Sequence, residues 1–411
     1  MKILEPHQVK GSDFLARNYH VLLADEPGLG KTLQAVHAAN AICVKTALVV
    51  APASVRLHWR QEILENSVFG CRWQVVSYNK ATTLNNLQHG PWDLLVLDEA
   101  HFLKTPDSQR TKAIFGNGNG IARRAKYIWC LTGTPVLNRP REMFPVLKCL
   151  HPGFADMTEA KYDQRYCGAY FDGRAINNRG ASRLEELAQK LDGFMLRRTM
   201  KQVYPDRKEP IISYVPVELD GEGAKYLKAV ESEVQNREAF ISSAAENYSQ
   251  LGDVSRLLHA TGLAKVQATV GFVKDLLETR EKVVVFTRHR AVLAALAEAL
   301  NGYMIEGGMG DQSKQAAIHA FGATDGVRVL VANMQAAATG TDGLQKACSC
   351  AVFAEQSWVP GEMDQAIGRL HRMGQEDDVV TAYVLHAPET LESAVMAVRK
   401  AKERTIERIV R

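Results

Sequence analysis

The sequence predicts an α/β chain with two lobes, each built on a parallel sheet, and a mostly helical insert between them. Three observations carry this. Short, continuously apolar runs recur at 20–25, 46–54, 92–101, 127–135, 282–289, 327–333 and 350–357, and strands buried on both faces require such runs. Amphipathic stretches such as AVLAALAEAL (291–300) lie between them and supply crossover helices. A chain of 411 residues that is 46% hydrophobic also exceeds one core, since single cores rarely grow past about 250–300 residues.

The runs fall before about residue 150 and after about residue 280, which sets the expected boundaries. These are a first lobe at 1–150, an insert and linker at 151–260, a second lobe at 261–388 and a charged, helix-like tail at 389–411. The insert, with YCGAYFDGRAINNRG and YPDRKEP, is expected to add no strand to either sheet. In the tail, Leu391, Val395, Val398 and Ile406 share a face that either docks on the first lobe or lies on the surface. A formal charge of +4 is mildly basic, so local clusters decide more than the sum. Seven cysteines without a C-x-x-C pair make a structural zinc site unexpected. Their odd number and the absence of an apolar leader or membrane-length run point to an intracellular, cytoplasmic chain with no membrane partner.

The stretch ADEPGLGKTLQA (24–35) follows an apolar run and precedes a helical pattern. Gly28, Leu29, Gly30, Lys31 and Thr32 therefore sit at a strand-to-helix turn, where backbone N–H groups and the helix dipole favour an anion. Lys31 would neutralise the β- and γ-phosphates of ATP and Thr32 would ligate Mg²⁺. An ordinary glycine turn is the alternative, because Asp25 stands where a phosphate loop usually begins with glycine.

LLVLDEAH ends an apolar run with Asp98 and Glu99. A parallel strand delivers such residues to the crevice that holds a phosphate loop. Asp98 would hold Mg²⁺, and Glu99 would polarise the attacking water. Far along the chain, QAIGRLHRMGQ (365–375) places Arg369 and Arg372 three apart, on one face if the segment is helical. An arginine brought to a γ-phosphate accelerates transfer by about 10³–10⁵, so arginines on the second lobe imply hydrolysis when the lobes close. A basic surface helix is the bland alternative.

Together these residues resemble the helicase superfamily 2 and, within it, the Swi/Snf-type ATPases, whose cores are two RecA-like lobes. LEPHQVKGSDFL is similar to the N-terminal glutamine motif, DEPGLGKT to the phosphate loop with Asp25 in its usual place, VVAPASVRLHWRQE to motif Ia and VVSY to motif Ib. DEAHFLK resembles motif II, LTGTP motif III and QAIGRLHRMGQ motif VI. GTPVLNRPREMFPVL and the insert sequence resemble the annealing-helicase (HepA-related) branch. The resemblance implies an ATP-driven translocase on duplex or branched DNA that remodels or reanneals it, of a bacterial or phage, nucleoid-associated type without large accessory domains. It implies Gln8 on adenine, and Gly340, Asp342 and Gln365 with Asp25 at the nucleotide. It further implies Ser54, Arg56, Tyr78 and Thr287 on the DNA backbone, and Trp358 in coupling or DNA contact. Gly368 stands where an acid is usual, and Thr341 and Asp342 depart from motif V.

Basic clusters at 104–126, which include Lys104, and at 197–208 suit phosphate contacts or a solvated face. Two other functions share these motifs: a strand-separating DNA or RNA helicase, and an ATP-gated DNA clamp that recruits a partner enzyme.

Overall fold

The computed structural model describes residues 1–410 except 69, 85–90, 117–119, 174, 220, 233–250, 324–325, 339–342 and 389. They form two compact units, Met1–Asp206 with Arg404–Arg411, and Arg207–Glu403.

In the first unit a six-stranded sheet has the order β3-β2-β4-β5-β1-β8, with β1 His20–Leu23, β2 Thr46–Ala51, β3 Arg72–Ser77, β4 Trp92–Asp98, β5 Ala125–Leu131 and β8 Met195–Leu196. Every pairing in it is parallel. Leu48, Val49 and Val50 of β2 and Leu94 to Leu97 of β4 are at most 1% exposed. Such burial on both faces is what a sheet layered between helices produces. Helices Lys31–Ala41 and Arg56–Asn66 follow β1 and β2, so the C-terminal ends of the strands gather the loops that carry chemistry.

The second unit repeats the plan with β9 Ile211–Pro216, β10 Val283–Thr287, β11 Tyr303–Ile305, β12 Val329–Asn333, β13 Cys350–Phe353 and β14 Thr381–His386 in the order β11-β12-β10-β13-β14-β9. Its pairings are also parallel. Val283 to Phe286 are fully buried, as the apolar run predicts. The α/β class with two parallel-sheet lobes therefore holds, and all seven apolar runs are strands.

The insert differs from expectation. It contributes helices Glu159–Tyr166 and Leu184–Leu191, but β8 extends the first sheet beside β1 and β9 extends the second beside β14. Residues 151–206 belong to the first unit and the chain from 207 to the second, so one boundary at 206/207 replaces those drawn at 150 and 260. These strands escape a search for apolar runs because β8 is two residues long and β9 is an edge strand with Ile211 55% exposed. A small antiparallel hairpin, β6 Tyr170–Phe171 with β7 Ile176–Asn177, projects from the insert. The tail is a helix, Leu391–Ile409; Leu391 and Val395 are buried with the second unit, and Ile409 is buried within the first. Among the described residues no helix is long and apolar enough to cross a membrane.

Candidate active site

Past β1 the chain makes a tight loop before helix Lys31–Ala41. Gly28 (φ 92°) and Gly30 (φ 75°) are left-handed, a region that glycine enters without the Cβ clash. A Cβ on Gly30 would lie 2.4 Å from Gln8 Nε2, so Gln8 packs directly against the loop. Leu29 anchors it at 1% exposure, and Gln34 Nε2 donates to the Leu29 carbonyl at 2.8 Å. Lys31 Nζ donates to the carbonyls of Asp25 (2.6 Å) and Glu26 (3.2 Å). Burial pushes the Lys31 ammonium down from its ordinary pKa, and the charges of Glu99, Asp25 and Asp98 oppose that shift. Lys31 and the carboxylates at the end of β4 thus lie within electrostatic reach of one another.

Asp25 is fully buried; Arg198 Nε donates to its Oδ1 at 2.9 Å, while Arg198 Nη2 and Gln34 Nε2 donate to its Oδ2. Arg198 also donates to the His7 carbonyl and, at 3.0 Å, to Gln34 Oε1. A Cβ on Gly11 would lie 2.6 Å from Arg198 Nη2, so glycine makes room for this brace. Asp25 therefore positions the loop, which corrects its expected place at the nucleotide. Arg197 donates to the carbonyls of Ala24 (3.1 Å) and Gly133 (3.3 Å). The first two arginines of the 197–208 cluster accordingly serve the loop instead of a DNA surface. Sequence reasoning missed Arg198 and Gln34, though a buried aspartate in a glycine-rich loop demands a cation somewhere.

At the end of β4, Trp59 Nε1 donates to Asp98 Oδ2 at 2.7 Å and the Glu99 amide to Oδ1 at 3.0 Å. Burial, and then the Glu99 charge, push the Asp98 carboxyl up to about 6. Glu99 has φ 50°, a left-handed strain of order 1–3 kcal/mol for a residue with a Cβ. Its Oε2 lies 3.3 Å from His101 Nδ1, which is 3.0 Å from Thr132 Oγ1 and 3.4 Å from Thr134 Oγ1. LTGTP is thereby joined to DEAH through one imidazole. A Cβ on Gly133 would lie 2.8 Å from Pro27, so the same segment also abuts the glycine loop.

The expected DNA contacts divide. Tyr78 is 3% exposed, its hydroxyl donates to the Asp98 carbonyl at 2.8 Å and its ring stacks on Phe102, so its side chain faces the core and not a ligand. Thr287, at the end of β10, is fully buried and is likewise removed from the surface. Thr32, Ser54 and Arg56 are half-buried, Arg56 Nε donating to the Ala53 carbonyl at 3.2 Å. Lys104 Nζ lies 3.7 Å from Glu142.

In the second unit helix Pro360–Ile367 carries Gln365 and ends with Gly368 at its C-cap. Arg369 and Arg372 lie on the turn that follows, which Gly374 (φ 86°) closes, so they do not share a helix face. Gln375 Nε2 fixes this turn by donating to the carbonyls of Cys348 (3.0 Å) and Leu370 (3.2 Å), and Arg207 Nη2 donates to the Arg372 carbonyl at 2.8 Å. Trp358 is half-buried with the Arg288 guanidinium 5.7 Å from its ring centre. Glu355, 3% exposed, accepts from the amides of Arg288 (2.8 Å) and His289 (2.9 Å), a brace for the end of β10 that the sequence did not announce. Gly340 and Asp342 lie outside the described residues.

Residues 72–264 match the model of the SNF2-related domain, and residues 265–374 that of the helicase conserved C-terminal domain. The glycine loop precedes the matched span. The chain is 32% identical over 437 residues to the "DNA annealing helicase and endonuclease ZRANB3" of Mus musculus, covering 97% of this chain and 40% of that protein. It is 29% identical over 417 residues to the "SWI/SNF-related matrix-associated actin-dependent regulator of chromatin subfamily A-like protein 1" of Xenopus tropicalis, covering 93% of this chain and 42% of that protein. The chain thus spans about two-fifths of the length of the curated relatives it matches. Among solved structures it is similar to the "Sulfolobus solfataricus SWI2/SNF2 ATPase core in complex with dsDNA", with a TM-score of 0.46 and 20% identity over 99% of this chain and 96% of that one.

Proposed function

Because this chain belongs to the SNF2-related, helicase-type family of ATPases, we propose that it hydrolyses ATP when bound to duplex or branched DNA and uses that turnover to move along the DNA and remodel or reanneal it. The observation that supports this is the electrostatic coupling of Lys31, at the start of its helix, to Glu99 and Asp98 at the end of β4. A cation, a helix N-terminus and two carboxylates are the groups that triphosphate hydrolysis uses. The residues fit a nucleotide and Mg²⁺: left-handed Gly28 and Gly30 expose backbone, and Thr32 and Asp98 offer hard oxygen donors.

In this mechanism Lys31 exchanges the carbonyls of Asp25 and Glu26 for the β- and γ-phosphates. Thr32 and Asp98 would hold Mg²⁺, which would supply charge neutralisation to the phosphate oxygens. Glu99 polarises the attacking water, and Gln8, already against Gly30, contacts adenine. Arg369 and Arg372 would supply positive charge to the transferring group, and Gln365 would be a further nucleotide contact. Ser54, Arg56, Lys104 and Trp358 remain contacts for the DNA backbone, which position a duplex and read little sequence.

The experiment is ATP hydrolysis by purified protein with single-stranded, duplex and forked DNA and with RNA, Lys31→Ala serving as the blank. Stimulation by duplex or forked DNA is expected, together with displacement of a triplex strand from a duplex track. Stimulation by RNA alone, or hydrolysis indifferent to nucleic acid, overturns the assignment. DNA-stimulated hydrolysis without triplex displacement leaves a clamp in place of a translocase.

A further inference from the structure

The hairpin β6–β7 leaves three large apolar side chains in water: Tyr170 is 56% exposed, Phe171 69% and Ile176 66%. The register pairs Tyr170 with Asn177 and Phe171 with Ile176, so the two pairs lie on opposite faces of the ribbon. Both faces are therefore bare. Each such side chain forgoes roughly 1.5–3 kcal/mol of burial, and a lone two-stranded hairpin is marginal in water.

This one is held at both ends. At its tip the Asp172 amide donates to the Ala175 carbonyl (3.0 Å), the Ala175 amide donates to Asp172 Oδ1 (2.8 Å), and Gly173 takes φ 93°. At its root Asn178 Nδ2 donates to Asp163 Oδ2 at 2.6 Å, and Arg141 Nε bonds both oxygens of the same buried carboxylate at 3.0 Å. The Gly168 amide donates to Ser182 Oγ at 3.1 Å, closing the base. The ribbon is rigidly mounted and its exposed rings are presented, not frayed.

Charge selects the occupant. The described residues of 164–183 include Arg165, Arg179 and Arg183 against Asp172 alone, and Asp172 is engaged in the turn. Glu186 accepts from Arg165 and lies 3.8 Å from Arg183, which still leaves an excess of positive charge. Flat apolar faces set among arginines match unpaired bases on a phosphate backbone, which stack on aromatic side chains while cations meet the phosphates. Apolar side chains inserted at a base step also open and bend DNA. A regular duplex hides its base faces; a branch point displays them.

Resting on the proposed DNA-dependent activity, we propose that the β6–β7 hairpin is the element that engages unpaired bases at a DNA fork or junction, Tyr170 and Phe171 stacking on them from the two faces. The test compares the full chain with its Tyr170→Ser/Phe171→Ser and Tyr170→Phe/Phe171→Tyr variants. Binding is read without ATP on a fork carrying 2-aminopurine at the junction and on a linear duplex of equal length. The serine pair should lose roughly five- to a hundredfold in fork affinity and the 2-aminopurine signal, while duplex affinity, duplex-stimulated hydrolysis and the thermal midpoint stay within experimental range of the parent. The aromatic exchange should behave as the parent. Equal fork binding by the serine pair, or equal loss on fork and duplex, overturns the hairpin's role. If the parent binds the fork but no DNA stimulates hydrolysis, the functional assignment fails and the hairpin result stands by itself.

Discussion

The two units carry the same parallel six-stranded plan but hold their chemistry in opposite ways. In the first, the polar groups of the glycine loop and of the end of β4 sit inside a hydrogen-bond frame: Asp98 is held by Trp59, Asp25 by Arg198 and Gln34, and His101 by Thr132. In the second, Arg369 and Arg372 are half-buried on a turn whose backbone is fixed through Gln375 and Arg207. The first unit thus frames its candidate groups by side-chain hydrogen bonds, and the second sets its two arginines on a backbone-braced turn. Arg372→Ala should therefore give the largest effect, a fall in turnover of roughly 10³–10⁵ with ATP and DNA affinities kept. Arg372→Lys should not restore it, since an ammonium lacks the planar fork. Normal hydrolysis by either variant breaks the division of labour and leaves the chemistry wholly to the first unit. Next comes Glu99→Gln, which keeps the shape of the side chain and should lower turnover by roughly 10²–10⁴, measured under saturating ATP.

Each unit also contains a buried ion pair, and these sharpen the contrast. Asp25 and Arg198 are 0% and 13% exposed, while Lys265 and Glu392 of the second unit are 0% and 3% exposed at 2.7 Å. Breaking either pair from one side, by Arg198→Met or Lys265→Met, leaves an uncompensated buried carboxylate and should cost about 3–5 kcal/mol in denaturant unfolding. Removing both partners should part the two cases. Lys265→Met with Glu392→Leu should recover much of the stability and keep hydrolysis, because that pair ties the Val266–Leu276 region to the last helix. Asp25→Leu with Arg198→Met should recover stability without hydrolysis, because that pair braces the glycine loop proposed to bind phosphate. Equal recovery of activity in both would mean that Asp25 is mere packing.

The same contrast explains what the sequence could disclose. Buried central strands announce themselves, because Val283 to Phe286 or Leu94 to Leu97 must be apolar on both faces. Edge strands do not: β3 is fully buried only at Val76 and β9 is exposed or half-buried throughout, so neither needs a continuous apolar run. Local motifs such as GLGKT and DEAH were legible since a strand-to-helix turn fixes their geometry within a few residues. Arg198 was not, for it meets Asp25 across 173 positions and nothing nearby in sequence marks it as the partner. Tyr78 and Thr287 were misplaced for a related reason: motif position gives the loop, while burial gives the direction of the side chain. The arginines at 369 and 372 look helical by spacing, and Gly368 ends the helix just before them.

The smallest effect asks whether the frame of the first unit tunes its groups as well as holding them. Asp98, at about 6, lies above the ordinary carboxylate value of 3.8 because burial and Glu99 disfavour its charge, while the Trp59 hydrogen bond opposes both. The folded state therefore binds this proton more tightly than the unfolded chain, and the stability it contributes is full below about pH 4 and lost as pH rises through about 6. Under the proposed mechanism hydrolysis has the opposite need, since the carboxylate would have to be ionised to hold Mg²⁺. At limiting Mg²⁺, turnover should drop below about pH 6 with the slope of one proton. Trp59→Phe deletes the donor and should move this acid limb upward by roughly one to two pH units, the value of a hydrogen bond to a charged group. Excess Mg²⁺ should draw the limb back down, because metal and proton compete for one carboxylate. A limb that ignores both the substitution and the metal would place the titration on another group and reduce Trp59 to a filler of the core.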